Sequence, residues 1–399
     1  MAKDKLNPAC HVDAAPYRSP ALPPGHRYQV VALVLQGGGA LGAYQAGVYQ
    51  GLAEADLHPN WVAGISIGAL NAAIIAGNPP DKRAERLEQF WHTISRQPLL
   101  PPTPHNLLDD AQALPPPLLG WLNGLEAWRA LIEGQNGFFQ PRPPLPPHDG
   151  GTASFYDTSP LKATLERLAD FDRINDSGEV RVSVGAVNVR SGNFSYFDNT
   201  RQRLRAEHFM ASGALPPGFP AVEIDGEYYW DGGMVSNTPL QPVLSERPRK
   251  HSLVFQVDLW SARGELPSDL SLVALRQKDI QFSSRTRMIT DYMRESQQFR
   301  LLLREVMDLV PEAARDSPAY RHAAEKACDR LFNVIHLIYQ EKPSEGHYKD
   351  YQFGARTMRE HWAGGLADIR ATLAHPEWLN MPSPERPFVT HDVHNRASR

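Results

Sequence analysis

Residues 31–47 read VALVLQGGGALGAYQAG: an apolar strand, a cluster of glycines, then an amphipathic helix. A strand buried on both faces reads as a continuous apolar run, and strand–glycine–helix is the opening unit of an α/β sheet. Gly37, Gly39 and Gly42 also spell G-x-G-x-x-G, the spacing of a dinucleotide-binding loop. Whether this loop holds a pyrophosphate or another negative charge depends on the second strand of the chain and the turn at its end.

That second strand opens the segment WVAGISIGALNAAIIAGN, residues 61–78. Gly64-Ile65-Ser66-Ile67-Gly68 is G-x-S-x-G set between an apolar strand and a small-residue helix, the context of a nucleophile elbow. Such a turn has no room for side chains at Gly64 and Gly68. It lifts the Ser66 hydroxyl off the sheet at a helix N-terminus, where the dipole favours a developing anion. A dinucleotide site would need a carboxylate at the end of this second strand for the ribose hydroxyls. The strand ends instead in Ala63-Gly64-Ile65-Ser66, and Glu54 and Asp56 come before it. The glycine loop therefore reads as an oxyanion hole, with the N–H groups of Gly38, Gly39 and Ala40 at the start of a helix.

A serine nucleophile needs a base. Asp231, in YYWDGGMVSNTPL, follows an aromatic strand-like run and precedes Gly232 and Gly233, so the turn leaves its carboxylate at a strand end. Burial between apolar walls would raise its proton affinity enough to take the Ser66 proton. A histidine base is the alternative. His251 comes after Asp231 at the start of a strand, in the order Ser…Asp…His, although beside Arg249 and Lys250 it reads as a solvated residue. His208 is the other candidate, or a residue that shapes the cleft.

Taken together, LQGGGALGAYQAGV, GISIGALNAA, ASGALPPGFPAV and WDGGMVSNTPL, in that order over about residues 30–244, resemble the patatin-like phospholipase family. The resemblance implies a three-layer α/β/α fold with a mostly parallel central sheet, and a Ser66–Asp231 dyad without histidine. It also implies an oxyanion loop over 37–42 (Gly37, Gly38, Gly39, Ala40 and Gly42), an elbow at Gly64 and Gly68, a DGG turn at Gly232 and Gly233, and no metal or organic cofactor. Leu41 stands where many relatives carry Arg or Lys. The C-terminal region resembles an extension found in a bacterial subset of the family. Within it, His361, Trp362 and the Gly364-Gly365 pair read as packing and turn residues.

Periodicity extends the α/β reading. Strands are expected at 30–35, 61–64, 180–189, 194–198 and 251–259, and helices at 41–55, 67–77, 82–95 and 161–169. VRSGN, residues 189–193, reads as a hairpin turn that makes part of the sheet antiparallel. The expected organisation is a disordered proline-rich arm at 1–27, a catalytic domain at 28–260 with a proline-rich cap at about 97–151, a helical extension at 268–380 and a tail at 381–399. The cap reads either as a packed loop or as an apolar lid over a lipid cleft. In the extension, Ile280, Met288, Tyr292, Phe299 and Leu303 can share one face, with Arg285, Arg287, Arg294 and Arg300 mostly elsewhere. That helix reads as packed on its own domain with a solvated charged face, rather than lying on a membrane.

Composition sets the outer limits. The 399 residues are 42% hydrophobic and 22% charged, as in globular proteins, and a net charge of −4 provides no basic field for nucleic acid. The longest apolar run, 63–77, is too short to span a bilayer, so any membrane contact is expected to be peripheral. Cys10 and Cys328 are the only cysteines; they make no disulfide framework, which favours a reducing, cytoplasmic compartment. The expected function is hydrolysis of lipid acyl esters, at a membrane or lipid-droplet surface. A catalytically silent lipid-surface scaffold and a nucleotide-dependent oxidoreductase are the readings from other classes.

Overall fold

β1 (Val30–Leu35) is buried along its whole length, and its side chains alternate between two cores. Val31, Leu33 and Leu35 face one core, and Val30, Ala32 and Val34 face the other. A strand with apolar residues on both faces needs cover on both, which makes the three-layer arrangement. The structure, a computed structural model, describes residues 15–95, 124, 129–130, 132–142, 153–176, 178–342, 345–346 and 348–394.

The other strands of the main sheet are β2 (Trp61–Gly64), β3 (Arg181–Asn188), β4 (Phe194–Asp198), β5 (Val222–Ile224), β6 (Glu227–Asp231), β7 (Ser252–Asp258), β8 (Phe332–Ile338) and β9 (Phe388–Asp392). Their order is β9-β8-β7-β1-β2-β3-β6-β5, with β4 also paired to β3. β1, β2, β3, β7, β8 and β9 run parallel. β4, β5 and β6 supply the antiparallel part, and the expected hairpin at 189–193 joins β3 to β4. From β1 the chain adds strands first on one side and later on the other. The switch point therefore lies between β1 and β7, and open α/β sheets bind ligands at the carboxyl ends of strands beside such a point.

The main helices are α1 (Ala43–Glu54), α2 (Ile67–Ala76), α3 (Arg83–Ile94), α4 (Ser159–Leu168), α5 (Ala206–Ser212), α6 (Leu240–Ser245), α7 (Leu270–Asp308), α8 (Pro318–Lys326) and α9 (Ala355–Leu373). α1 to α4 and α9 cover one face of the sheet; α6 and α7 contribute Leu240, Val243, Leu244 and Met293 to the other. No helix among the described residues is long and apolar enough to cross a membrane.

Four expectations need correction. The extension is helical but not only so: β8 and β9 come from it and from the tail, and they continue the parallel sheet beyond β7, so a domain boundary at 260 cuts one sheet in two. Gly364 and Gly365 lie inside α9 rather than in a turn. A Cβ on Gly365 would overlap the Tyr44 carbonyl, and one on Gly47 would overlap that of Trp362, so α9 and α1 cross with their backbones in contact. The apolar stripe of α7 faces outward among exposed charges such as Asp291, Arg294 and Glu295: Ile280, Met288, Tyr292 and Phe299 are exposed, while Leu303 packs in a small separate cluster. Finally, Cys328 is disulfide-bonded, which removes the cysteine argument for a reducing compartment.

The proline-rich arm is described from Ala15, and there it lies on the domain: Leu22 is buried in the main core and the Tyr17 hydroxyl donates to the His58 carbonyl. Most of the 97–151 cap lies outside the described residues. Its end is described, and Phe138 and Phe139 pack there with Tyr156, Phe219 and Phe353.

Because backbone meets backbone where α9 crosses α1, Gly365→Ala should destabilise the fold by about 1–3 kcal/mol. Urea denaturation followed by circular dichroism measures this, and an unchanged midpoint would contradict the crossing.

Candidate active site

β3 brings the two halves of the site together. It pairs with β2 as far as Gly64 opposite Val184, and with β6 back to Asp231 opposite Ala186. The two strands approach from opposite directions and stop on either side of Gly185. Ser66 lies two residues beyond the end of β2, and Asp231 is the last residue of β6. In this way residues distant in the chain meet, with the Ser66 side chain beside the Asp231 carboxyl and acting on its proton affinity.

The turn at Ser66 is strained, with φ 54° and ψ −124°, a region that side-chain-bearing residues seldom occupy. The strain is held by a residue to which the sequence alone assigns no role. The Ser66 N–H donates to the Ser212 hydroxyl at 3.0 Å, and Ser212, fully buried on α5, donates to the Gly185 carbonyl at 2.6 Å. The elbow glycines are required by contact: a Cβ on Gly64 would overlap the Gly68 carbonyl, and one on Gly68 that of Leu35.

Asp231 is 3% exposed. Burial pushes its carboxyl up to about 7, against the opposing influence of Ser66 and of the Gly233 N–H, which donates at 2.6 Å. A carboxylate at this position is a stronger proton acceptor than one in water. The DGG turn is thus a short 3-10 turn, Gly232–Met234, capped by Asp231 itself.

The glycine loop follows β1 and lies against the elbow. Gly37 does not serve as an oxyanion donor: its N–H donates to the Asn237 carbonyl at 3.2 Å. Its carbonyl accepts from Asn237 Nδ2 at 2.9 Å and from Trp260 Nε1 at 2.8 Å, which fixes the loop's first peptide. Gly42 is also a packing residue, its carbonyl accepting from the buried Asn71 Nδ2 at 3.0 Å. The N–H groups of Gly38, Gly39 and Ala40 make no backbone hydrogen bond among the described residues. Gly39 holds φ +55° with its Cα against the Asp350 carbonyl, so glycine is needed there twice over.

That last contact belongs to the C-terminal extension, which supports the loop from behind. His361 Nδ1 lies 3.4 Å from the Ala40 carbonyl, and its Nε2 lies 2.9 Å from Glu345 Oε1. Burial pushes the Glu345 carboxyl up, but hydrogen bonds from His361 and the Tyr339 hydroxyl hold it below the usual range. Lys349, almost wholly buried, pairs with Asp279 at 2.9 Å and lies 5.1 Å over the Trp260 ring. His361 is therefore a packing residue, as expected, but one that packs on the loop itself.

Neither candidate histidine reaches Ser66. His251 is buried rather than solvated, at the amino end of β7, where Leu331 N–H donates to its Nδ1 at 3.1 Å and Arg330 faces its Nε2. Burial, with Arg330 and Arg27 nearby, lowers its proton affinity to a pKa of about 4. The length of the strand separates it from the elbow, on the order of 20 Å. His208 caps α5, its Nδ1 accepting the Arg205 N–H at 2.9 Å. Among the described residues, no cluster of His, Cys, Asp and Glu is arranged to hold a metal ion.

A family model described as patatin-like phospholipase matches residues 33–244, more than half of the chain. The chain belongs to the patatin-like phospholipase family. A second model, described as patatin phospholipase, matches residues 280–385 and so covers the extension of this patatin-like chain. A stretch of 69 residues is 35% identical to the triacylglycerol lipase SDP1L of Arabidopsis thaliana, spanning 17% of this chain and 9% of that protein. Among solved structures, VipD from Legionella pneumophila aligns at 15% identity and a TM-score of 0.36, over 87% of this chain and 67% of that one. Human GIVD cytosolic phospholipase A2 aligns at 12% identity and a TM-score of 0.36, over 88% of this chain and 60% of that one.

Ser212→Ala would leave the Ser66 N–H without its acceptor and the Gly185 carbonyl without its donor. The expected loss is about 1–3 kcal/mol of stability, read by urea denaturation; a loss within error would show that the strained turn stands without Ser212.

Proposed function

We propose that this chain is a serine acyl-hydrolase of lipid esters, with Ser66 as nucleophile and Asp231 as the base that activates it. The observation that carries the reading is Ser66, on a strained turn, set beside a buried Asp231 whose carboxyl is raised to about 7. Ser66 Oγ attacks the acyl carbonyl and its proton passes to Asp231. The N–H groups of Gly38, Gly39 and Ala40 stabilise the oxyanion. Collapse expels the alcohol, which takes the proton from Asp231, and leaves an acyl-enzyme. Water then attacks, giving its proton to Asp231, and a second collapse returns that proton to Ser66 and releases the acid.

The likeness to a triacylglycerol lipase supports glycerolipid esters as the substrate class, met at a membrane or droplet surface. A silent scaffold is the weaker reading, because it would need neither the strained serine nor a buried carboxyl beside it.

Labelling by a fluorophosphonate, together with hydrolysis of a short p-nitrophenyl ester, tests the proposal. Ser66→Ala and Asp231→Asn should each lose about a thousandfold or more in kcat/KM, whereas His251→Ala should keep its activity. If the native chain neither labels nor turns over ester, the hydrolase reading fails. Asp231 accepts a proton only when ionised, so kcat/KM should rise with pH through about 7 and level off above it. An activity that is already full at pH 5 would contradict Asp231 as the base.

A further inference from the structure

The 39-residue helix α7, about 58 Å long, carries apolar residues on its outward face as well as on the face it packs against the domain. The face turned to the domain mixes polar and apolar residues: Asp279, Ser283, Thr290 and Gln297 are buried there beside Leu275, Met293 and Met307, and Phe282 and Ile289 pack on the cores. Partners within the fold hold that face. Asp279 pairs with Lys349, and Gln297 Nε2 donates to the Cys328 and Arg330 carbonyls at 3.2 and 2.7 Å. The opposite face carries Met288, Tyr292 and Phe299 at 65%, 62% and 63% exposure, followed by Leu302, Val306 and Leu309, all exposed. An exposed apolar stripe of this kind, interrupted only by Glu295, marks a surface that something covers.

The spacing identifies the cover. Positions 288, 292, 295, 299, 302, 306 and 309 step by four and three alternately, with Tyr292, Phe299 and Val306 at a and Met288, Glu295, Leu302 and Leu309 at d of a heptad. A 3.5-residue seam fits a second helix of the same period. Its exposed apolar surface is roughly 700 Å² per copy, taking ~200 Å² for a full side chain, close to the ~800 Å² that each partner gives to a standard interface. Glu295 within the seam and Glu305 beside it disfavour an anionic lipid surface. We infer that the outward face of α7 between Met288 and Leu309 is the interface of a two-fold dimer, covered by the same seam of a second copy. Glu295 is the weak point of that seam, a charge placed where the partner helix packs.

Sedimentation equilibrium of the full chain tests the dimer. The native protein should have twice the 44.5 kDa mass of one chain. Phe299→Glu and, separately, Leu302→Glu should run at the single-chain mass with unchanged far-ultraviolet circular dichroism. Glu295→Leu should tighten the dimer about tenfold or more. A native chain of single mass at every soluble concentration overturns the proposal. So do glutamate variants that keep the double mass. If Phe299→Glu instead abolishes binding to phosphatidylcholine vesicles without a change in mass, lipid is the cover and the dimer is wrong. If both glutamate variants lose the fold or melt earlier at unchanged mass, the seam is covered by the chain's own residues and the proposal falls.

Discussion

The juxtaposition of Ser66 and a carboxyl with almost no contact with water is the constraint around which the rest is arranged. A buried carboxylate is costly unless its environment compensates it. Here the Gly233 N–H donates to it at 2.6 Å and Ser66 lies beside it, and the remaining cost appears as a raised proton affinity. For serine and aspartate to meet, a parallel strand and an antiparallel one must both end against β3, one on each side of Gly185. The antiparallel part of an otherwise parallel sheet thus delivers Asp231 to the carboxyl end of β2.

The second arrangement is the one that holds the glycine loop. Donors aimed at a developing charge act only if they do not have to reorganise. Asn237 and Trp260 fix the loop's entry, and Asp350 and His361 of the extension press on Gly39 and Ala40. The extension also adds β8 and β9 to the sheet and lays α9 across α1. It belongs to the same structural unit as the loop it supports, so two separate family models describe parts of one sheet.

Local signals make the central elements legible. β1, β2 and the helices after them lie within a residue or two of where apolar runs and glycine turns place them, because both sheet faces and both elbow glycines are set by short-range contacts. Ser66 and Asp231 can be named from their turns. Ser212 and Asn237 stand inside the motifs ASGALPPGFPAV and WDGGMVSNTPL, yet their partners lie far off in the chain, and no periodicity reports such pairs. β8 and β9 are hidden because FNVIHLI and FVTHD are short and sit among long helical stretches. His251 reads as solvated because its charged neighbours in sequence say nothing of the strand that covers it. The outward orientation of α7's apolar stripe escapes for the opposite reason: an apolar stripe is legible in sequence, but which side of it meets the domain is not.

A crystal structure of the native chain after reaction with a fluorophosphonate tests the Ser66–Asp231 site most directly. The expected result is phosphorus bonded to Ser66 Oγ, with the phosphoryl oxygen within hydrogen-bond distance of the N–H groups of Gly38, Gly39 or Ala40, and Asp231 still beside Ser66. Phosphorus on any other residue, or a phosphoryl oxygen turned away from the glycine loop, would contradict it.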